Sequence, residues 1–284
     1  MGQDHFSDAA LVLLGHGTTL NAESSAPVFQ HAAELRRRKL FAEVREAFWK
    51  QPPQLATVLS SLTSSRVFVA PLFISEGYFS EQATPRALGL RGEGEGEFRR
   101  RQSRGPQTLF YCKPVGTHES MTEVLLHRAR EVVERFPFPR APVVKELTFF
   151  IAGHGTEQDE NSRKPIERQV ELIRALGLYA GVHAIFMEEE PRIAGCYALA
   201  QTRHIVVVPF FISDGLHVRE DIPVLLGEAK RIVQQRLANR LPTWRNPTEV
   251  SKRIVWYSPA VGSHPQIAEV ILERVREASQ WPDR

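Results

Sequence analysis

The chain has 284 residues, 42% hydrophobic and 24% charged, a composition typical of globular proteins with room for one large or two modest domains. No apolar run approaches the ~20 residues that cross a bilayer, and the polar start MGQDHFSD differs from a signal peptide, so no membrane partner is expected. The net charge of +3 is too small to predict nucleic-acid binding, and the two cysteines form no disulfide framework, which favours a reducing cytoplasm.

Short β-branched or aromatic runs alternate with helical patterns along the chain. In the first half, the predicted strands are ALVLL (10–14), RVFVAPL (66–72) and TLFYC (108–112). In the second half, the predicted strands are 147–152, 182–187, 204–210 and 253–257, and the predicted helices are 164–176, 191–201, 222–237 and 265–278. Continuous apolar runs suit strands buried on both faces of a parallel sheet. The pattern predicts two α/β sandwich domains, each with a central parallel sheet and right-handed crossovers.

The two halves are a tandem duplication. The motif GHGT occurs at 15–18 and at 153–156, an offset of 138 residues. At the same offset PLFISEG (71–77) pairs with PFFISDG, and VGTH (115–118) finds its counterpart VGSH at an offset of 146. Three motifs that keep their order are the signature of an internal repeat. The boundary is expected near the proline-rich PFPRAP, which gives domains 1–142 and 143–284.

Three polar residues of the second half follow predicted strands. His154 lies within GHGT, Glu188 follows the strand 182–187, and His217 follows PFFISDG. In open parallel sheets, ligands bind beyond the carboxyl ends of the strands, so these residues are expected to face one cleft.

The first half differs at two of the three equivalent positions. His154 corresponds to His16, but Phe79 and Lys50 stand where the second half has a histidine and a glutamate. A structural role should survive in both copies, whereas a metal site needs all of its ligands together. The second half is therefore predicted to carry the site, and the first half to be a degenerate copy.

The residue types of the second half suit a divalent metal. Imidazole binds Co, Ni, Fe and Zn ions, and two histidines with an acid leave coordination positions open for a substrate. The glycines on either side of His154 are expected to let a flat ligand approach the backbone. The alternatives are a hydrogen-bonded structural role for each histidine, and a solvated acidic loop for Glu188 and its neighbours.

These residues also carry a resemblance to a known family. The strand that runs into GHGT, the segment Phe186-Met187-Glu188 before Pro191, and PFFISDGLHVREDIP (209–223) resemble the class II chelatases of modified tetrapyrroles. The particular resemblance is to the sirohydrochlorin cobaltochelatases (CbiX- and CbiK-like proteins), and it covers nearly the whole chain, once per half. It implies ATP-independent insertion of a divalent metal into sirohydrochlorin in cobalamin biosynthesis. Cobalt is the first candidate, with nickel or iron as alternatives; the metal is a substrate, and no organic cofactor is expected.

The resemblance also implies roles for individual residues. His154 and His217 would bind the metal, and Glu188 would be the accompanying acid. Because insertion removes two pyrrole protons, a base near the ring is needed, and His154 suits that role, with Glu188 relaying protons or offsetting charge. The substrate is a polycarboxylate, so Arg219 or the arginines of 99–104 are expected to dock it. The alternative for the segment 92–105 is a solvated loop without a binding role.

Other functions remain open on the sequence alone. The chain could be a metal- or tetrapyrrole-binding protein without turnover, or a purely structural duplicated module. Histidine phosphatases are disfavoured because glycine, not arginine, precedes both GHGT histidines, and the sequence contains no GxxxxGK[ST] phosphate loop. The oligomeric state is left open, including a homodimer.

Overall fold

The structure is a computed structural model that describes residues 6–18, 22–92, 97–156 and 160–282. The strands, in chain order, are β1 (Phe6–Gly15), β2 (Phe41–Phe48), β3 (Arg66–Pro71), β4 (Arg101–Arg104), β5 (Gln107–Tyr111), β6 (Leu147–Gly153), β7 (Gly181–Phe186), β8 (His204–Pro209), β9 (Thr248–Val250) and β10 (Arg253–Tyr257). The α-helices are α1 (Ala26–Arg38), α2 (Leu55–Ser60), α3 (Thr84–Ala87), α4 (Met121–Arg135), α5 (Lys164–Ala175), α6 (Cys196–Leu199), α7 (Ile222–Leu225), α8 (Lys230–Ala238) and α9 (Ile267–Ser279).

The strands form two five-stranded sheets of the same topology. Their orders are β2-β1-β3-β5-β4 and β7-β6-β8-β10-β9. In each sheet four strands are parallel and the last edge strand is antiparallel. Helices flank both sheets, and every residue of β6 is buried, as expected for a central strand covered on both faces. The predicted pair of α/β sandwich domains with central parallel sheets is confirmed.

In each sheet the direction in which strands are added reverses at the second strand of the order, which is β1 in the first sheet and β6 in the second. The next strand in the chain, β7, pairs with one edge of β6, and the strand after it, β8, pairs with the opposite edge of β6. The carboxyl ends of β6 and β8 thus border the switch point at which open α/β sheets bind ligands. The first sheet places the ends of β1 and β3 in the same way.

The compact units do not follow the repeat boundary. One unit consists of Met1–His118 with Pro265–Arg284, and the other consists of Glu119–His264. The boundary predicted at residues 142 and 143 separates the sequence repeats but not these units. The reason is that the last helix of each repeat packs on the sheet of the other repeat: α4 contacts β8 and β10, and α9 contacts β3 and β5. Each helix buries an apolar stripe there, which sequence periodicity predicts without indicating the sheet that receives it.

We call α4 and α9 the exchanged helices, because each packs on the sheet of the other repeat. A buried arginine anchors each of them. Arg128 of α4 donates from Nε to the Ala260 carbonyl at 3.1 Å and from a terminal nitrogen to Ser263 Oγ at 2.9 Å. Arg274 of α9 donates in the same way to the Pro114 carbonyl at 3.0 Å and to Thr117 Oγ1 at 2.6 Å. In both units these charge-assisted hydrogen bonds supply donors to carbonyl and hydroxyl oxygens in the loop that follows the last parallel strand.

Several predicted elements differ in detail. The helix predicted over 191–201 is only a 3₁₀ turn followed by α6, and the helix predicted over 222–237 is broken into α7 and α8. Gly227, between α7 and α8, has a φ of 100°, which no continuous α-helix contains. The first-half edge strand β2 and the short polar strands β4 and β9 were not predicted. No helix within the described part of the chain is long and apolar enough to cross a membrane.

We expect the substitution Arg128→Met to lower the free energy of unfolding by about 1–3 kcal/mol, because it leaves the buried Ala260 carbonyl without its donor. The matched control is Arg130→Met, at an exposed position of the same helix, which should change stability by no more than about 0.5 kcal/mol. Urea denaturation followed by circular dichroism measures both variants. Equal effects of the two substitutions would contradict the role given to Arg128.

Candidate metal site

The loop after β6 is tied to the loop after β7 through one carbonyl group. The backbone oxygen of His154 accepts hydrogen bonds from the N–H groups of Met187 at 3.0 Å and Glu188 at 3.1 Å. The ring of His154 is fixed as well, because its Nδ1 lies 2.7 Å from the carbonyl oxygen of Gly155. These contacts place the side chains of His154 and Glu188 at the same end of the sheet.

The glycines on either side of His154 are needed because neighbouring protein side chains pack against them. Gly155 has a φ of 68°, in the left-handed region, and an added Cβ would lie 2.6 Å from Glu189 Cγ. At Gly153 an added Cβ would lie 2.1 Å from Ile166 Cδ1. The expectation that these glycines make room for a flat ligand is therefore wrong, because protein side chains fill that space.

His217 comes from the loop after β8 and begins a π-helical turn, His217–Asp221. The turn closes with a hydrogen bond from the Ile222 N–H to the His217 carbonyl. Val218, which is buried, anchors the turn, and its carbonyl accepts a hydrogen bond of 2.7 Å from the Tyr257 hydroxyl. Turns of this type are frequent at functional sites.

The two histidine rings meet at the switch point. Their centroids lie 5.1 Å apart with an interplanar angle of 80°. Glu188 is beside them, with Oε1 at 3.7 Å from His154 Nε2. About half of each side chain is exposed, 42% for His154 and 51% for His217. The structure thus brings together the three residues singled out in the sequence, and their role in binding metal stays a prediction.

Hydrogen bonds indicate which ring nitrogen of each histidine is available. A carbonyl oxygen only accepts, so Nδ1 of His154 carries the proton donated to Gly155. Nδ1 of His217 lies 2.7 Å from Asp221 Oδ2, and an ionised carboxylate likewise only accepts. Both Nε2 atoms are then left with lone pairs, which is the form in which imidazole binds a metal.

Asp221 is a residue that the sequence reasoning missed. It lies four positions after His217, the spacing at which side chains meet on a helical face, and this spacing could have identified it. Within the described residues no group of three or more His, Cys, Asp or Glu side chains could hold a metal ion. The arrangement is a pair of imidazoles with neighbouring carboxylates, and it leaves coordination positions open.

The first unit has the same scaffold with different side chains. The His16 carbonyl accepts hydrogen bonds from the N–H groups of Trp49 at 3.2 Å and Lys50 at 3.0 Å. The ring of His16 meets Phe79 at a centroid distance of 4.5 Å and an angle of 89°. Lys50 Nζ lies 6.0 Å from the centre of the Phe79 ring. Burial and the charge of Lys50 both lower the pKa of His16, so the surroundings disfavour an added positive charge.

The arginines expected to dock a polycarboxylate have neighbours within their own units, and their role in docking stays a prediction. Arg219 lines a cavity of about 320 Å³ next to Trp244 and Tyr257, and neither His154 nor His217 lines that cavity. Arg100 binds Glu81 at 2.7 Å, and the other arginines with described contacts bind backbone carbonyls: Arg101 that of Trp281 and Arg104 that of Leu88. The segment 92–105 is not simply a solvated loop either, because Arg101–Arg104 forms β4; residues 93–96 lie outside the described residues.

The chain is similar in sequence to a probable chelatase and in fold to proteins described as chelatases or as chelatase-like. The chain is 41% identical, over 95% of its length and 91% of the relative's, to a probable sirohydrochlorin cobaltochelatase of Halobacterium salinarum. A multi-domain protein of Deinococcus radiodurans, described as structurally similar to chelatases, superposes with a TM-score of 0.76 at 27% identity. That match covers 97% of this chain, which spans just over half (56%) of the longer protein.

The sirohydrochlorin chelatase SirB of Bacillus subtilis, in its complex with cobalt, superposes with a TM-score of 0.60. The identity is 17%, with 97% of each chain covered, and this likeness supports the fold alone. The sequence model of the CbiX family matches residues 10–132 and again residues 148–278. The resemblance found in the sequence is confirmed: the chain belongs to the CbiX family and carries two copies of its repeat.

Proposed function

We propose that this protein is a sirohydrochlorin cobaltochelatase whose second unit inserts Co²⁺ into the tetrapyrrole without ATP, as a step of cobalamin biosynthesis. The observation that carries the proposal is the convergence of the His154 and His217 rings at 5.1 Å, each with Nδ1 hydrogen-bonded and Nε2 available. Membership of the CbiX family and the name of the Halobacterium relative support the reaction and the metal. A cytoplasmic location belongs to the same proposal.

The site suits a metal that is passed on as a substrate. Two imidazoles hold a first-row divalent ion while leaving several coordination positions for water or for pyrrole nitrogens. Since both rings are half-exposed, a macrocycle can approach the ion from solvent. As the pyrrole nitrogens bind the ion, they replace the imidazoles, and the ion leaves within the product.

Insertion exchanges one divalent cation for two protons. Each pyrrole N–H bond that breaks leaves its electron pair on nitrogen for the metal, and the proton passes to a base. His154 Nε2, once it has released the ion, can take one proton, and Glu188 Oε1 at 3.7 Å can pass it to solvent, which frees Nε2 to take the second proton by the same route. Because 56% of the Glu188 side chain is exposed, this route to water is short.

An exposed apolar side chain lies next to His217. Leu216, which precedes it, is 59% exposed, and a large apolar side chain at such a position can contact the face of a tetrapyrrole. We therefore place the macrocycle against Leu216, over the two histidine rings.

We expect His154→Ala to reduce the rate of Co²⁺ insertion into sirohydrochlorin by about 100-fold or more, because the variant loses a metal ligand and a proton acceptor. His16→Ala is the matched control in the first unit and should change the rate by less than about threefold, since its partners there are Phe79 and Lys50. The measurement follows the absorbance of the macrocycle, with Ni²⁺ and Fe²⁺ in parallel assays. Equal losses in both variants would show that the first unit takes part, and binding without turnover in the wild type would favour a carrier.

The shared scaffold allows a gain-of-function test. The triple substitution Lys50→Glu, Phe79→His and Ala83→Asp copies the second site into the first unit, and we expect it to raise the Co²⁺ stoichiometry from one to two per chain. Phe79→His alone, which leaves the Lys50 ammonium in place, is the control and should give no strong second site. Equilibrium dialysis measures the bound metal. A well-folded triple variant that still binds one ion would refute the equivalence of the two scaffolds.

A further inference from the structure

We infer that Asp221 is a positioning residue for His217: its carboxylate holds the proton on Nδ1 and so directs the Nε2 lone pair to the metal. The identity of the metal rests on the proposed function, and Asp221 has no role in the reaction proposed above. The two histidines also have different roles. His217, backed by Asp221, is the principal holder of the ion, and His154, next to Glu188, is the proton acceptor.

The contact between the two side chains is short and locally determined. Asp221 Oδ2 lies 2.7 Å from His217 Nδ1, and the two residues are the first and last of one π-helical turn. The backbone on either side is fixed, since Val218 and Ile222 are both buried. The imidazole therefore has one hydrogen-bonded orientation, and its ring centroid lies 5.1 Å from that of His154.

The acceptors behind the two histidines differ in charge. His154 Nδ1 donates to the neutral carbonyl of Gly155, whereas His217 Nδ1 donates to a carboxylate. A carboxylate behind a metal-bound histidine fixes its tautomer and makes it a better electron donor to the metal. Of the two rings, His217 is therefore the stronger ligand, and His154 is released more easily to take a proton.

The first unit shows that the fold does not need this pair. Phe79 and Ala83 stand at the positions of His217 and Asp221. The π-helical turn Tyr78–Ala83 nevertheless forms, so the turn does not depend on a histidine–aspartate pair. Histidine and aspartate are thus absent together from the unit that lacks the second imidazole. A carboxylate that served only to close the turn would not follow the histidine in this way.

The first test needs neither metal nor tetrapyrrole. In the ¹⁵N-histidine-labelled full-length protein, NMR should show the neutral His217 ring protonated on Nδ1, with the signal assigned by its loss in His217→Ala. Asp221→Ala should move the proton to Nε2, whereas Asp221→Asn, whose amide oxygen still accepts, should keep it on Nδ1. Glu220→Ala, a change to the neighbouring acid of the same turn, is the control and should leave the signal unchanged. An Asp221→Ala variant that keeps the Nδ1 proton would overturn the inference.

The second test measures Co²⁺ itself. Asp221→Ala should weaken Co²⁺ binding by about 10–100-fold and change the visible ligand-field spectrum, while Glu220→Ala should do neither. Asp221→Asn should recover part of the affinity. Affinity for Co²⁺ within twofold of the wild type in Asp221→Ala would overturn the inference. A wild type that binds Co²⁺ with this dependence on Asp221 but metallates no sirohydrochlorin would overturn the proposed function and support the role of Asp221.

Discussion

The backbone carbonyl of His154, which accepts hydrogen bonds from the N–H groups of Met187 and Glu188, fixes the geometry on which the candidate site depends. It joins the loops that follow two neighbouring strands, so a histidine and a glutamate far apart in sequence emerge side by side. Gly155 makes the connection possible, because the loop needs a positive φ and because Phe186 and Glu189 occupy the space of a Cβ. Because β8 is parallel to β6 and pairs with it, the loop that follows β8 lies at the same end of the sheet and places His217 beside His154.

Duplication within the chain separates what the fold requires from what the chemistry requires. Both units keep the carbonyl with two donors, the π-helical turn, and a buried arginine on an exchanged helix. Among the side chains that change are those that would touch a metal or support a ligand: Glu188, His217 and Asp221 correspond to Lys50, Phe79 and Ala83. Each change removes an imidazole or a carboxylate, and Lys50 also adds a positive charge. All three groups are thus absent together from a unit that keeps the same backbone scaffold.

The sequence predicts the architecture well where local patterns suffice. Apolar runs identify the central strands, and the rule that carboxyl ends of parallel strands share one edge leads to the proximity of His154, Glu188 and His217. It does not reveal the exchange of α4 and α9, because an amphipathic stripe indicates that a helix is covered and not which sheet covers it. The breaks on either side of Gly227 and the short polar strand β4 likewise depend on tertiary contacts. Asp221 was within reach, since its i, i+4 relation to His217 is visible in the printed sequence.

We propose that His154 and His217 bind one metal ion between them. The most direct measurement is a crystal structure of the protein with Co²⁺, with the ion located by its anomalous scattering at the cobalt edge. We predict a single ion in the second unit, about 2.0–2.2 Å from Nε2 of both histidines, with water in open coordination positions. An ion bound to only one of these rings, or through Nδ1 of either, or at the His16 side chain instead, would contradict it.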